Sequence, residues 1–209
     1  MAASADQPTL VLLHGLLGNA DDWRPVIEAL SGIDCHALDL PGHGHNQHLR
    51  VNGFDEANAW LCGELAARDI EHYRLAGYSL GGRLALYHAS QSPAGLQALL
   101  LENCHPGLPE AERAARLAHD EGWARRFEQE PLPLVLADWY RQGVFADLDE
   151  TARARQAARR LGNEGPAIAT MLRATSLGKQ PDLVPWLSHT RLPVRWISGS
   201  RDHKFHRLA

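Results

Sequence analysis

Tyr73-Arg74-Leu75-Ala76-Gly77-Tyr78-Ser79-Leu80-Gly81-Gly82-Arg83-Leu84-Ala85-Leu86-Tyr87 passes from a β-prone run, through a glycine-flanked serine, into a helical run. Residues 77–81 fill the pattern Gly-x-Ser-x-Gly at a strand-to-helix junction. The flanking glycines permit a sharp turn that lifts the Ser79 hydroxyl above a sheet, and the turn aims the Leu80 N–H at a developing oxyanion. An ordinary strand–turn–helix junction is the alternative, because the bare pattern is weak without its context.

Outward from this turn, four more β-prone runs stand out: Thr9–Leu13, Cys35–Leu38, Ala98–Leu101 and Val194–Ser198. The intervals between the first four runs are long enough for crossovers, which predicts βαβ units and a mostly parallel sheet. Continuous apolarity within the runs fits strands buried on both faces. The interval from Leu101 to Val194 is too long for one crossover. It reads as helices over Pro109–Gln129, Pro131–Arg141, Asp149–Gly162 and Pro166–Gly178. The expected organisation is an α/β core of residues 1–106 and 181–209, with a helical cap inserted at 107–180.

Two further turns carry candidate chemistry. His14-Gly15-Leu16-Leu17-Gly18 follows the first run and can present the Leu16 N–H as a second oxyanion donor, with His14 itself packing or capping the loop. Gly199-Ser200-Arg201-Asp202 follows the last run, where a carboxylate, Asp202, is placed to orient a histidine in the order Ser, Asp, His. A rival cluster, His43-Gly44-His45-Asn46-Gln47-His48, approaches the spacing of a binuclear zinc site, but Gln47 stands where an acid is needed. A solvated loop is the expected reading, with no metal and no cofactor. Cys104 reads as a buried strand-end residue.

Composition narrows the classes. The 209 residues are 44% hydrophobic and 22% charged, ordinary for a globular protein. A formal charge of −4 gives no footprint for nucleic acid or an anionic membrane. No apolar run approaches the roughly 18 residues of a spanning helix, and Met1–Pro8 lacks the make-up of a secretory signal. Three cysteines, Cys35, Cys62 and Cys104, point to free thiols and a cytoplasmic location. All basic residues except Lys179 and Lys204 are arginines, the side chain suited to bidentate carboxylate contacts.

With these features in view, the chain resembles α/β-hydrolase-fold proteins, and more narrowly the 2-succinyl-6-hydroxy-2,4-cyclohexadiene-1-carboxylate synthases of menaquinone biosynthesis. Asp39-Leu40-Pro41-Gly42-His43-Gly44, residues 77–83 and His105-Pro106-Gly107-Leu108 carry the likeness, which continues through Ala137-Asp138-Trp139-Tyr140, Val144-Phe145, Gln180-Pro181-Asp182-Leu183 and Ser200-Arg201-Asp202 with Lys204-Phe205. The resemblance implies a lyase that expels pyruvate from 2-succinyl-5-enolpyruvyl-6-hydroxy-3-cyclohexene-1-carboxylate, with a triad-activated Ser79 as base. By position in the matching motifs, Arg83, Arg116 and Arg160 would bind substrate carboxylates. Tyr78 and Trp139 would line the pocket, and Leu16 and Leu80 would supply the oxyanion N–H groups. For Arg116 and Arg160 the alternative is a solvated partner of a nearby acid.

The family's histidine lies well beyond the acid, after a further strand, whereas here only His203 and His206 follow Asp202 closely. The expectation is therefore an impaired catalyst lacking the triad histidine and the final strand and helix. A monomer is expected, or a dimer or aggregate formed through the sheet edge at Val194–Ser198. A serine esterase of the same fold and a binding protein for a polycarboxylate are the competing functions.

Overall fold

The computed structural model describes residues 9–200 and 202–209. Met1–Pro8, where no secretory signal was expected, and Arg201 of the last motif lie outside the described residues, as do the side chains of His203 and Lys204. Five strands form one parallel sheet: β1 (Thr9–Leu13), β2 (Cys35–Leu38), β3 (Tyr73–Tyr78), β4 (Leu96–Glu102) and β5 (Val194–Ile197). Their order is β2-β1-β3-β4-β5. Every strand of the sequence reading is present, β1 and β2 with the same bounds, β3 longer by two residues, β4 longer by three and β5 shorter by one. Burial on both faces holds for the middle of the sheet. The outer strands β2 and β5 are only partly buried.

The register positions the site. Leu13 pairs with Gly77, and Gly77 pairs with Leu101. The three central strands therefore stop at one level, and the segments that follow them emerge side by side.

Helices α1 (Arg24–Ala29), α2 (Phe54–Ala66) and α3 (Leu80–Ser90) belong to the crossovers. The α2 helix buries Phe54, Ala57, Leu61 and Leu65, one stripe at helical spacing. Between β4 and β5 the chain is helical: α4 (Glu110–Gln129), α5 (Leu132–Trp139), α6 (Glu150–Arg159), α7 (Gly165–Ala174) and α8 (Val184–His189). Asp149 caps α6 by accepting from the Ala152 N–H at 2.7 Å. A short helix, α9 (His203–Leu208), closes the described chain; the sequence reading did not anticipate it.

Apolar side chains gather into two clusters. The larger one wraps the sheet around Val11, Leu13, Leu75, Leu99 and Leu101. The smaller joins Ala124, Phe127, Val135, Leu136, Ile168, Ala169 and Leu172 of the inserted helices with Leu17 from the loop after β1. Chain entry and exit meet where the Leu183 N–H donates to the Pro106 carbonyl at 2.8 Å. No helix among the described residues is long and apolar enough to cross a membrane.

Candidate active site

Ser79 sits at φ 52°, ψ −111°, a left-handed conformation that non-glycine residues seldom adopt. The turn is held because the Ser79 N–H donates to the Glu102 carbonyl at 2.9 Å, and the Arg83 N–H to the Ser79 carbonyl at 3.0 Å. Gly81 lets α3 press onto β1: a Cβ there would run into the backbone carbonyls of Leu13 and His14. The strain at Ser79 is thus imposed from both flanks, as in a nucleophile elbow.

A cavity of about 550 Å³ opens above the strand ends. Its lining includes Leu16, Tyr78 and Ser79 from the core side and Trp139, Tyr140 and Arg160 from the inserted helices. The Leu16 N–H has no hydrogen-bond acceptor among the described residues. Leu80, the first residue of α3, is buried directly behind the serine. Trp139 is edge-on to Trp123 at 4.9 Å and lies 5.4 Å from the Phe127 ring, so its face toward the cavity is fixed by the cap's aromatic cluster. Tyr78 is partly exposed, and burial together with the nearby Glu102 carboxylate pushes its phenol above the usual range.

Arg160 is largely buried and pairs with Asp22 at 2.7 Å. Arg159 reaches the same carboxylate at 3.2 Å. Burial acts to lower the Arg160 guanidinium, but hydrogen bonds to Asp22 and Tyr140 outweigh it and hold it above its ordinary value. Its Nε is buried without a partner among the described residues, a donor beside the cavity.

The other two arginines do not line the cavity. Arg83 donates to the Thr175 carbonyl at 2.7 Å, and burial next to Arg116 pushes its guanidinium down to about 10. Arg116 makes a close contact with Asp120 at 2.8 Å, and Asp120 also accepts from the Ser176 hydroxyl at 2.7 Å. Part of each guanidinium's hydrogen-bonding capacity is thus taken up by groups of the protein itself. Asp202 accepts from the Phe205 N–H at 3.1 Å as the cap of α9. Among the described residues no histidine ring hydrogen-bonds to Ser79 or Asp202.

The run His43–His48 splits. His43 is fully buried, with Nδ1 3.0 Å from the Pro41 carbonyl and Nε2 3.1 Å from the Leu17 N–H. His45 is exposed and bonded to Asp39 at 2.8 Å. No group of three or more potential ligands gathers among the described residues. His14 is buried in the same manner as His43: Nδ1 lies 2.8 Å from the Gly15 carbonyl and Nε2 3.0 Å from the Leu40 N–H. Facing a carbonyl on one side and an N–H on the other, each ring must carry its proton on Nδ1 and stay neutral. Burial drives both well down, His14 to about 4 and His43 to about 3. Sequence reasoning missed Asp22, His43, Glu102 and Asn163 as neighbours of the site; the glycine-rich turn after β1 was the one signal pointing toward them.

A strained serine at a strand end, facing a cavity under inserted helices, defines a protein of the α/β hydrolase class. The sequence pattern of the α/β hydrolase fold family matches residues 8–207. Within it, the chain belongs to the 2-succinyl-6-hydroxy-2,4-cyclohexadiene-1-carboxylate synthase family. It is 51% identical over 204 residues to the Yersinia pestis (strain Pestoides F) synthase, covering 97% of this chain and 75% of that one. The Yersinia enterocolitica synthase is 50% identical, with 97% and 74% covered. The structure of MenH from S. aureus superposes with a TM-score of 0.89 at 28% identity, covering 100% of this chain and 81% of the other.

Proposed function

We propose that this chain acts as its relatives are named, as a lyase that eliminates pyruvate from 2-succinyl-5-enolpyruvyl-6-hydroxy-3-cyclohexene-1-carboxylate. The observation that carries the reading is one cavity joining Ser79, a Leu16 N–H with no acceptor among the described residues, and the Arg160 guanidinium. A base at Ser79 takes the ring proton next to the succinyl carbonyl. Negative charge then develops on that carbonyl oxygen, where the N–H groups of Leu16 and Leu80 stabilise it. The electrons return through the ring double bond and break the ring carbon–oxygen bond, releasing pyruvate as its enolate, which takes up a proton; no acyl-enzyme forms.

Arg160 takes a substrate carboxylate, and Tyr78 and Trp139 wall the ring. Arg83 and Arg116 join it only by exchanging Thr175 and Asp120 for substrate. Residues 1–106 and 181–209 form the catalytic core, and 107–180 the cap that recognises the acid groups. The small-molecule polycarboxylate is the only partner the reading needs, in the cytoplasm. The imidazole that activates Ser79 is neither His14 nor His43, since both rings are committed to backbone groups.

Pyruvate release is measured for the 209-residue chain and for a version extended by the C-terminal part of the Yersinia pestis relative, with p-nitrophenyl acetate hydrolysis alongside. Release of pyruvate by the extended version, exceeding ester cleavage, supports the lyase. Ester cleavage without pyruvate release rejects it in favour of an esterase.

A further inference from the structure

Three consecutive peptide units after β1 are each held by a different partner. The Gly15 carbonyl accepts from the Gly18 N–H at 3.0 Å and from His14 Nδ1 at 2.8 Å. In a trans peptide the N–H points away from its carbonyl, so these bonds turn the Leu16 N–H to the opposite side, into the cavity that Leu16 lines. The next N–H, that of Leu17, donates to His43 Nε2 at 3.1 Å. The Leu17 carbonyl accepts from Asn163 Nδ2 at 2.9 Å, and Asn163 sits in the turn between α6 and α7.

Leu17 is itself left-handed, with φ 68°. A conformation of this kind costs about 1–3 kcal/mol and persists only where its surroundings over-determine it. Here they do so from both sides. The side chain is 1% exposed and packs among Ala124, Phe127 and Ile168 of the cap, while His43 holds the backbone from the core. The Asn163 amide also donates to the Arg160 carbonyl at 3.0 Å, so it ties the loop to the end of the helix that carries Arg160.

We propose that Asn163 and His43 are positioning residues for the oxyanion donor: Asn163 registers the cap, and His43 the core, to the loop that aims the Leu16 N–H. This rests on the reading above that Leu16 stabilises the developing oxyanion. The consequence is that the seating of the cap and the direction of the donor are one variable. A cap displaced from the loop releases the Leu17 carbonyl and removes the apolar anchor of its side chain together.

The test uses three variants in the extended version of the chain. Asn163→Asp keeps the size and removes the donor. His43→Leu removes the acceptor, and His43→Gln puts an amide oxygen where Nε2 lies. Each is measured for kcat and KM of pyruvate release, for its thermal midpoint, and for the affinity of phenylboronic acid. The boronic acid is a probe that joins the Ser79 oxygen and presents an oxyanion without the elimination reaction.

Asn163→Asp and His43→Leu are expected to lower kcat about tenfold to a hundredfold, since small misplacements of a catalytic donor have effects of that size. KM stays within about twofold, boronate binding weakens by a similar factor to kcat, and His43→Gln recovers most of both. Wild-type boronate affinity in Asn163→Asp and His43→Leu overturns the proposal. Should the parent chain bind boronate but release no pyruvate, the lyase reading falls and the boronate ratios alone decide the role of the loop.

Discussion

The cavity has two walls built on different principles. The core wall is backbone: Ser79, the Leu16 N–H and the Leu80 N–H stand where parallel strands in fixed register run out. The two histidines beneath it are locked by main-chain partners rather than exposed to substrate. The cap wall is side chain, and its charges come as arginine–carboxylate pairs. At the cavity Arg160 and Arg159 are held by Asp22; elsewhere on the cap Arg116 is held by Asp120, Arg173 by Glu121 and Glu128, and Arg126 by Glu130 and Asp138. Geometry on the core wall follows from the sheet and changes only when the backbone does. On the cap, side chains can be exchanged one at a time: exposed pairs such as Arg126–Glu130 and Arg173–Glu128 contribute only about 0–1 kcal/mol each, while Arg160–Asp22 and Arg116–Asp120 are the more buried ones.

Substitutions on the two walls should therefore separate cleanly. The largest effect is expected from Ser79→Ala, which removes the reacting group of the core wall. Pyruvate release should fall by at least about a thousandfold with an unchanged thermal midpoint, and activity within a few-fold of the parent would take the serine out of the mechanism.

Acid should come next and act on the core, beneath the cavity and beyond it. His14, His43 and His88 are all buried, and burial lowers them to about 4, 3 and 4. Between those values and about 6.5 the unfolded chain binds more protons than the folded one. Stability is therefore whole above pH 6.5 and should drain away as the pH falls toward 4. Urea midpoints measured from pH 7.5 to pH 4.5 check this, and a flat profile contradicts it.

On the cap, Asp120→Ala strips Arg116 and Ser176 of a buried partner. Breaking such a pair costs about 3 kcal/mol. A clear fall in thermal midpoint is expected, with pyruvate release per folded molecule affected less than in Ser79→Ala. Arg160→Met should do the reverse: loss of a hydrogen bond to a charged group costs about 1.5–3 kcal/mol, read as a rise in KM of tenfold or more with little change in midpoint. The smallest effect is expected from Arg83→Lys, which loses the planar fork but keeps the charge, raising KM several-fold at an unchanged midpoint. An Arg83→Lys protein with parental KM would leave Arg83 as a bond to Thr175 alone.

The same division explains what could be read in advance. The runs of β1, β2 and β3 end at His14-Gly15, Asp39-Leu40-Pro41-Gly42 and Gly77, local signals that fix β1, β2 and the elbow almost to the residue. The first cap helix ends at Gln129, as the sequence reading has it, but the ends of α5, α6 and α7 lie two to four residues before the positions read from the sequence. The α6 helix stops at Arg159, where Asn163 takes the Arg160 carbonyl, and α7 stops at Ala174, where Ser176 turns toward Asp120. The Ser176–Asp120 contact spans 56 residues and the Asn163–Arg160 bond is a local turn, and neither leaves a periodic trace. For that reason Leu16, Tyr78, Trp139 and Arg160 were found from motif position and do share the cavity, while Asp22 and Asn163, which act through bonds spanning over a hundred residues, were not found at all.

The chain crosses itself where the Leu183 N–H meets the Pro106 carbonyl, and Gly107, at φ 139°, lies so close to Pro181 and Asp182 that a Cβ there would collide with their backbone. Everything between these points leaves the sheet and returns through one narrow neck. A loop closed at its base in this way can be lengthened at little entropic cost, since each doubling adds only about 0.6 kcal/mol. The neck is accordingly a graft point: a lid of another size, or from another relative, could be spliced at Pro106 and Leu183 while the register of β4 and β5 stays as it is, and Ser79 would face a new lid without being re-aimed.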